Sequence, residues 1–213
     1  MDPLRERLRQ ARLYLVVTPR LCRRGVEGTV AEALAGGVDM VQLRDKESDD
    51  AAFLSTAARL SDLCRERGVL FLVNDRVALL NDARADGVHV GEQDTPPEEV
   101  RRRYGPAPIL GLSTHDRAEL AAAEARGADY AGLGPIYATE TKKLTRVPQG
   151  PRLVSDAYGA ARLPVFPIGG IDARNAAVLV AAGASRLAVS SAICAADDPR
   201  SAAASLKALL TRF

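Results

Sequence analysis

The residues that could do chemistry fall at intervals along the chain, each near the end of a short apolar run. Gln42, Arg44 and Lys46 stand in VQLRDK, Asn74-Asp75 follows VLFLV, and Asp94 ends GEQD. Ser113, Thr114 and His115 stand together in GLSTH. Further on come Thr139, Thr141, Lys142 and Lys143 in ATETKKLTR, the pair Gly169-Gly170, and Ser190-Ser191. Arginine and lysine supply positive charge, and a glycine pair before a helix start offers backbone N–H groups to a phosphate. Asp75 and Asp94 are hard oxygen donors. Mg²⁺ is normally held by few carboxylates, with water and substrate phosphates completing the set. Together these types suggest an anionic substrate with a metal-bound diphosphate and a second phosphate.

Taken singly, each group also has a structural use. Arg44-Asp45-Lys46 reads as a solvated loop with a surface ion pair, which contributes little to stability. Asn74-Asp75 reads as a turn and cap, Gly169-Gly170 as a tight turn, and Ser190-Ser191 as a helix start. His89 lies between valines and reads as a satisfied core or rim histidine. His115 could act as a base, but no Asp or Glu marks itself as its orienter, so a hydrolase triad has little support. Joint placement favours the chemical reading over the separate structural ones.

The apolar runs imply the elements that position these groups. They are Leu13–Thr18, Met40–Leu43, Val69–Val73, Gly87–Val90, Ile109–Leu112, Tyr130–Leu133, Val165–Ile168 and Leu187–Val189. Each is short and suits a strand buried on both faces. Helical spacing follows in Asp49–Arg67, Arg117–Arg126, Arg174–Ala182 and Pro199–Leu210, with Asp116 and Asp172 as N-caps and Gly127 and Gly183 as stops. AGGVDMVQL, ARADGVHVG, ARGADYAGLG and AAGASRLAVS repeat one helix-end, turn, strand unit. Strands alternating with helices imply parallel pairing. Eight of them predict an α/β fold, a compact (β/α)₈ TIM barrel forming one domain over residues 1–213 with a short N-terminal helical lead-in. An open doubly wound sheet is the alternative, but no GxGxxG follows the first strand. In such a barrel the chemistry gathers at the carboxyl ends of the strands, where the residues above fall.

Composition excludes several functions. The 213 residues include 29 basic and 27 acidic side chains, a net charge of +2, too balanced for a nucleic-acid binder. Arg101–Arg103 read as a solvated helix end. Tryptophan is absent and aromatics are 4%, so base-stacking platforms are not expected. Cys22, Cys64 and Cys194 show no CxxC, which fits reduced thiols in a cytoplasmic protein. No run suits a membrane span, and MDPLRERLRQ lacks a signal core. The pattern leaves room for a homo-oligomer.

The motifs VQLRDK, VNDR, GVHVGEQD, GLSTH, GLGPIYATETKKLTR with Gln149-Gly150, IGGI and VSSAI occur in this order. With them the sequence resembles the thiamine-phosphate synthase family, also called thiamine-phosphate pyrophosphorylases, over nearly the whole chain. The resemblance implies a transferase of thiamine biosynthesis on a compact barrel. Such an enzyme joins 4-amino-2-methyl-5-hydroxymethylpyrimidine diphosphate to 4-methyl-5-(2-phosphoethyl)thiazole, giving thiamine phosphate and pyrophosphate with Mg²⁺. Carried onto this chain, Gln42, Leu43, Arg44, Asp45 and Lys46 would hold the pyrimidine diphosphate. Arg44, Lys46 and Lys142 would meet its phosphates, and Asn74 and Ser113 would contact the same substrate. Arg44, Lys46, Ser113 and Lys142 would be catalytic, and Asp75 and Asp94 would bind the metal. Thr139, Glu140 and Thr141 would line the thiazole phosphate site, with Gly170, Ser190 and Ser191 as donors. Ala138 departs from the family, where proline is common, and Leu144 and Pro148 also vary the loop.

That chemistry agrees with the residue types. Breaking the pyrimidine CH₂–O bond leaves a benzylic-like cation and pyrophosphate, so stabilising the leaving group matters more than a strong base. The thiazole nitrogen has no proton to lose. Water must be kept from the cation, and Ala138–Pro151 is the natural closing loop. Three alternatives remain: a thiazole tautomerase using a histidine near His115, a sugar-phosphate epimerase, and a non-catalytic phosphate-ligand binding protein.

Overall fold

All eight apolar runs form strands, and every neighbouring pair is parallel. The computed structural model describes residues 2–139, 146–158 and 161–210. The strands are β1 (Leu13–Val17), β2 (Met40–Leu43), β3 (Leu70–Asn74), β4 (Gly87–Val90), β5 (Ile109–Thr114), β6 (Tyr130–Leu133), β7 (Val165–Pro167) and β8 (Leu187–Val189). Their order is β7-β6-β5-β4-β3-β2-β1-β8. The end strands β7 and β8 touch, so the sheet curls into a nearly closed barrel. Helices α1 (Pro3–Gln10), α2 (Val26–Ala35), α3 (Asp50–Glu66), α4 (Pro97–Tyr104) and α5 (Arg117–Ala123) occupy the first half. Helices α6 (Arg152–Tyr158), α7 (Ala176–Ala181), α8 (Ser191–Cys194) and α9 (Pro199–Leu210) follow. No helix among the described residues is long and apolar enough to cross a membrane.

The strands are mostly apolar because they bury both faces, and their polar residues, Gln42, Asn74, His89, Ser113 and Thr114, stand towards the carboxyl ends. Alternation then splits their side chains into two cores. Leu13, Leu15, Val41, Leu43, Phe71 and Val73 face outward into the helix layer. Tyr14, Met40, Leu70, Leu72, Ile109, Tyr130 and Phe166 fill the barrel, joined by Leu8 of α1. Each aromatic ring buried there contributes roughly 4–6 kcal/mol of gross transfer free energy, an upper bound before chain entropy. Gly111 makes room for Tyr130, since a Cβ there would lie 2.1 Å from the tyrosine Cζ.

The internal repeat has a physical reason. Three of its four copies place an aspartate just before the strand, and each aspartate clamps the neighbouring strand's first amides. Asp39 accepts from Arg12 N and Leu13 N, Asp86 from Phe71 N, and Asp129 from Leu110 N. The aspartate's own N–H returns the bond to Leu13 O, Phe71 O and Leu110 O respectively. This ring of clamps sits at the amino end of the barrel, away from the strand ends that carry the chemistry.

The structure corrects several local expectations. Asp172 does not cap a helix. It accepts from Arg174 N in a turn, and α7 starts only after Asn175. Asp116 does cap α5, accepting from Glu119 N. Strand β3 extends to Asn74 and β5 to Thr114, which makes those residues part of the sheet rather than loop. Within Arg101–Arg103 only the last two are solvated. Arg101 turns inward to Gly127 O, Pro108 O and the Asp129 carboxylate.

Candidate active site

A cavity of about 160 Å³ opens at the carboxyl ends of the strands. Gln42, Arg44, Asn74, Ser113, Thr139, Gly170, Ser190 and Ser191 all line it, so residues from six strands meet at one mouth. Strand parity explains this. Gln42, Asn74 and Ser113 continue the inward-facing positions of β2, β3 and β5. Leu43 has the opposite parity. Its side chain lies in the outer core, and it does not line the cavity. Glu140, Thr141 and Lys142 lie outside the described residues.

Beneath the mouth runs a buried chain of hydrogen bonds. The Gln42 amide Nε2 donates to the Tyr14 hydroxyl. The Tyr14 and Tyr130 hydroxyls are 2.8 Å apart, Tyr130 lies 2.9 Å from His89 Nδ1, and His89 Nε2 lies 3.0 Å from Ser113 Oγ. Each tyrosine has one proton to give. Either hydroxyl can donate to the other; in the direction that runs from Gln42 towards Ser113, Tyr14 donates to Tyr130 and Tyr130 donates to His89 Nδ1. The imidazole then carries its proton on Nε2 and gives it to Ser113. The Ser113 hydroxyl keeps its own proton to donate elsewhere. Burial pushes the Tyr14 and Tyr130 hydroxyls well above their ordinary pKa, so both remain protonated donors. Sequence reasoning set His89 aside as a core residue and missed both tyrosines. Inward parity along β1, β4 and β6 was the signal that could have found them.

A charged group sits beside the cavity. Lys46 Nζ is 2.7 Å from Asp75 Oδ2. Asp75 follows β3 with φ +60, a left-handed conformation that is costly for a residue with a side chain, and its N–H bonds His89 O. Asp94 Oδ2 accepts from Gly91 N at 2.8 Å. Burial raises the Asp94 carboxyl, and the neighbouring Asp75 carboxylate raises it further. Burial lowers the pKa of the Arg44 guanidinium, while Asp75 and Asp94 oppose that shift. Asp45 is turned away from this group. It accepts from Glu47 N, Ser48 N and Ser48 Oγ, so it shapes the loop that presents Arg44 and Lys46.

The opposite side of the mouth is built from close backbone packing. Gly169 has φ +104 and Gly170 φ +62. A Cβ at Gly170 would fall 2.2 Å from Ala138 O, and one at Gly169 2.8 Å from Pro135 Cα. Only glycine lets this turn lie under the segment leading to Thr139. The segment is fixed at its base by Ile136 N to Ile168 O and Tyr137 N to Gly169 O, with Gln149 N and Gly150 N returning to Pro135 O and Ile136 O. Ser190 Oγ lies 3.3 Å from Thr18 Oγ1.

His115 also lines the cavity, and it has an orienter after all. Its Nδ1 lies 2.8 Å from Glu119 Oε2, one helical turn on. The His-x-x-x-Glu spacing was legible, since the helix was expected to start at Arg117, as it does, but the pairing of His115 with Glu119 was not drawn from it. Arg146 reaches Glu119 at 3.2 Å and Glu92 at 2.9 Å, so the far end of the loop is held to two neighbouring elements.

Comparison with known proteins agrees with this geometry. A family model described as thiamine monophosphate synthase matches residues 13–193. The chain is 46% identical over 210 residues to a thiamine-phosphate synthase of Synechococcus sp. (strain WH7803), covering 97% of this chain and 59% of that protein. It is 42% identical to a thiamine-phosphate synthase of Chlorobium luteolum (strain DSM 273 / BCRC 81028 / 2530), covering 85% of each. The chain spans about three-fifths of the length of the first curated relatives it matches. Among solved structures, thiamine phosphate pyrophosphorylase from Pyrococcus furiosus superposes with a TM-score of 0.85 at 32% identity, covering 97% of both chains.

Proposed function

The chain belongs to the thiamine monophosphate synthase family, and from that premise we propose that it condenses the aminopyrimidine diphosphate with the thiazole phosphate to give thiamine phosphate and pyrophosphate. The observation that carries this is one mouth with a polar floor of Gln42, Asn74 and Ser113, a glycine turn suited to phosphate, and a cation and carboxylate group beside it. The reading makes the protein a cytoplasmic enzyme of small phosphorylated substrates, with residues 1–213 forming one barrel domain, and with no nucleic acid or membrane partner.

Asp75 and Asp94 would hold Mg²⁺. The donor set fits: two adjacent carboxylates, with no third His, Cys, Asp or Glu grouped with them among the described residues. That leaves the remaining positions to water and diphosphate oxygens, as this ion prefers. Bound there, the ion would neutralise charge on the departing pyrophosphate. Arg44 and Lys46 would hold the same phosphates, their charge worth more because the mouth is partly desolvated. Asn74 and the Gln42 to Ser113 chain would orient the pyrimidine ring. Gly170, Ser190, Ser191 and Thr139, with Glu140 and Thr141, would hold the thiazole phosphate on the other side. Lys142 would assist pyrophosphate departure. The segment from Ala138 to Pro151, anchored through Arg146, would exclude water from the pyrimidine cation.

The test is product formation in the presence of both substrates, with Mg²⁺ withdrawn by chelation and then restored. Loss and recovery of thiamine phosphate supports the reading, and chelator-insensitive formation rejects the metal. The His115–Glu119 pair is the one observation that favours a tautomerase instead. Isomerisation of the thiazole that persists without metal and is lost in His115→Ala would select that alternative.

A further inference from the structure

Arg76 completes the VNDR motif, yet it does not line the cavity and the proposed reaction gives it nothing to do. Its side chain is nonetheless only 20% exposed. Nη1 donates to Asp50 Oδ1 at 2.6 Å, and Nη2 donates to the main-chain oxygens of Asp45 and Ser48. The guanidinium carbon lies 4.6 Å from the ring centroid of Phe53, which is fully buried. One planar fork thus fastens both ends of the loop between β2 and α3. That loop carries Arg44 and Lys46.

The main chain of Arg76 fastens something else. Its N–H bonds Asn74 O at 2.6 Å, and Val77 N bonds Asp75 O at 2.7 Å. The first bond closes a tight turn around Asp75, which holds its left-handed φ of +60, and the second closes the next turn around Arg76 itself. Such a conformation persists only where its surroundings over-determine it. The loop and the turn come from different strands, yet Lys46 and Asp75 meet across the gap at 2.7 Å. Arg76 is the residue that belongs to one and grips the other.

We propose that Arg76 is a positioning residue for the diphosphate half of the site, holding the loop of Arg44 and Lys46 in register with the turn of Asp75. This rests on the reaction proposed above. The role needs arginine: a lysine offers a point charge and no planar fork to span a carboxylate and two carbonyls. The role is also one-sided. Gly170, Ser190 and Ser191 stand on the far wall of the mouth and share none of the Arg76 contacts.

Arg76→Ala and Arg76→Lys test this by three readouts: steady-state kinetics in each substrate, calorimetric titration with magnesium pyrophosphate, and thermal unfolding. Misplacing a charged group by about 1 Å can cost on the order of 100-fold, so a loosened joint should raise the diphosphate KM and the magnesium pyrophosphate Kd by at least ~10-fold. The thiazole phosphate KM should stay unchanged. Added guanidinium should restore part of the lost affinity in Arg76→Ala, and Arg76→Lys should not match the parent. Equal rises in both KM values, or a lower melting temperature with both constants unchanged, would overturn the assignment. If the alanine variant does not fold, the lysine variant carries the same readouts. A parent protein that binds no magnesium pyrophosphate and forms no coupled product removes the reaction and this inference together. A parent that does both, with variants that match it, removes only this inference.

Discussion

Lys46 Nζ lies 2.7 Å from Asp75 Oδ2, a cation and a carboxylate from adjacent strand ends paired at the edge of the mouth. The lysine side chain is 51% exposed, so the pair contributes little to stability, on the order of 0–1 kcal/mol. It is therefore cheap to exchange, with the lysine turning to a phosphate and the carboxylate to a metal. Lys46→Ala should leave unfolding free energy within about 0.5 kcal/mol of the parent. A charge-assisted hydrogen bond to phosphate is worth about 1.5–3 kcal/mol, so kcat/KM for the diphosphate should fall roughly 10- to 150-fold. Denaturant titration and kinetics read the two effects separately. A large loss of stability with normal kinetics would make the pair structural.

Tyr14 joins Gln42 to Tyr130 in the barrel interior, and its hydroxyl serves both. Tyr14→Phe leaves two buried polar groups short of a partner, at a cost of about 1–3 kcal/mol. It also frees the Gln42 amide and breaks the chain that sets the His89 tautomer. Unfolding in urea should show the loss, and the imidazole ¹⁵N shifts of His89 should move away from the Nε2–H pattern that the Gln42-to-Ser113 direction predicts for the parent. Unchanged shifts would mean that the tautomer is set elsewhere.

Asp129 works at the other end of the barrel. It accepts from Leu110 N, Arg5 and Arg101, and its side chain is 14% exposed. Asp129→Ala leaves the Leu110 amide without its carboxylate and takes the counter-charge from Arg5 and Arg101, which keep their carbonyl partners, and should cost about 2–4 kcal/mol. Because the amino end of the barrel carries no chemistry, kcat per folded molecule should not change. A fall in kcat with intact stability would contradict that division of labour.

Asp45 gives the loop an acid limit. Partial burial acts to raise its pKa, but the Ser48 hydroxyl and the N–H groups of Glu47 and Ser48 hold it below the usual 3.8. A carboxyl lowered on folding adds stability above its unfolded pKa and loses it as pH falls through the folded value. The loop should therefore stay ordered down to about pH 4 and loosen below. Hydrogen exchange of the Glu47 and Ser48 amides against pH measures this. Protection that fails near neutrality would show that Asp45 does not hold the loop.

The barrel was legible because burial on both faces leaves a plain trace: eight apolar runs, all of which became strands. Four of the runs match their strands residue for residue. The ends were harder. Asn74, Ser113 and Thr114 are polar, so hydropathy stops before them, although the ladder continues to Asn74 and Thr114. The singled-out polar residues largely reached one mouth because each followed a strand. Leu43 stands apart because neighbours in a strand face opposite ways. Tyr14, His89 and Tyr130 were hidden among apolar neighbours, and their meaning lies in contacts between strands far apart in sequence. Glu119 and Arg76 act through other residues, and a single sequence does not show what a side chain holds.

The central claim is one coupled reaction at this mouth. Purified protein should be mixed with the pyrimidine diphosphate, the thiazole phosphate and Mg²⁺, with thiamine phosphate and pyrophosphate quantified together over time. The account predicts that both products appear in equal amounts, only when both substrates and the metal are present. Pyrophosphate released without thiamine phosphate, or neither product formed, would contradict it.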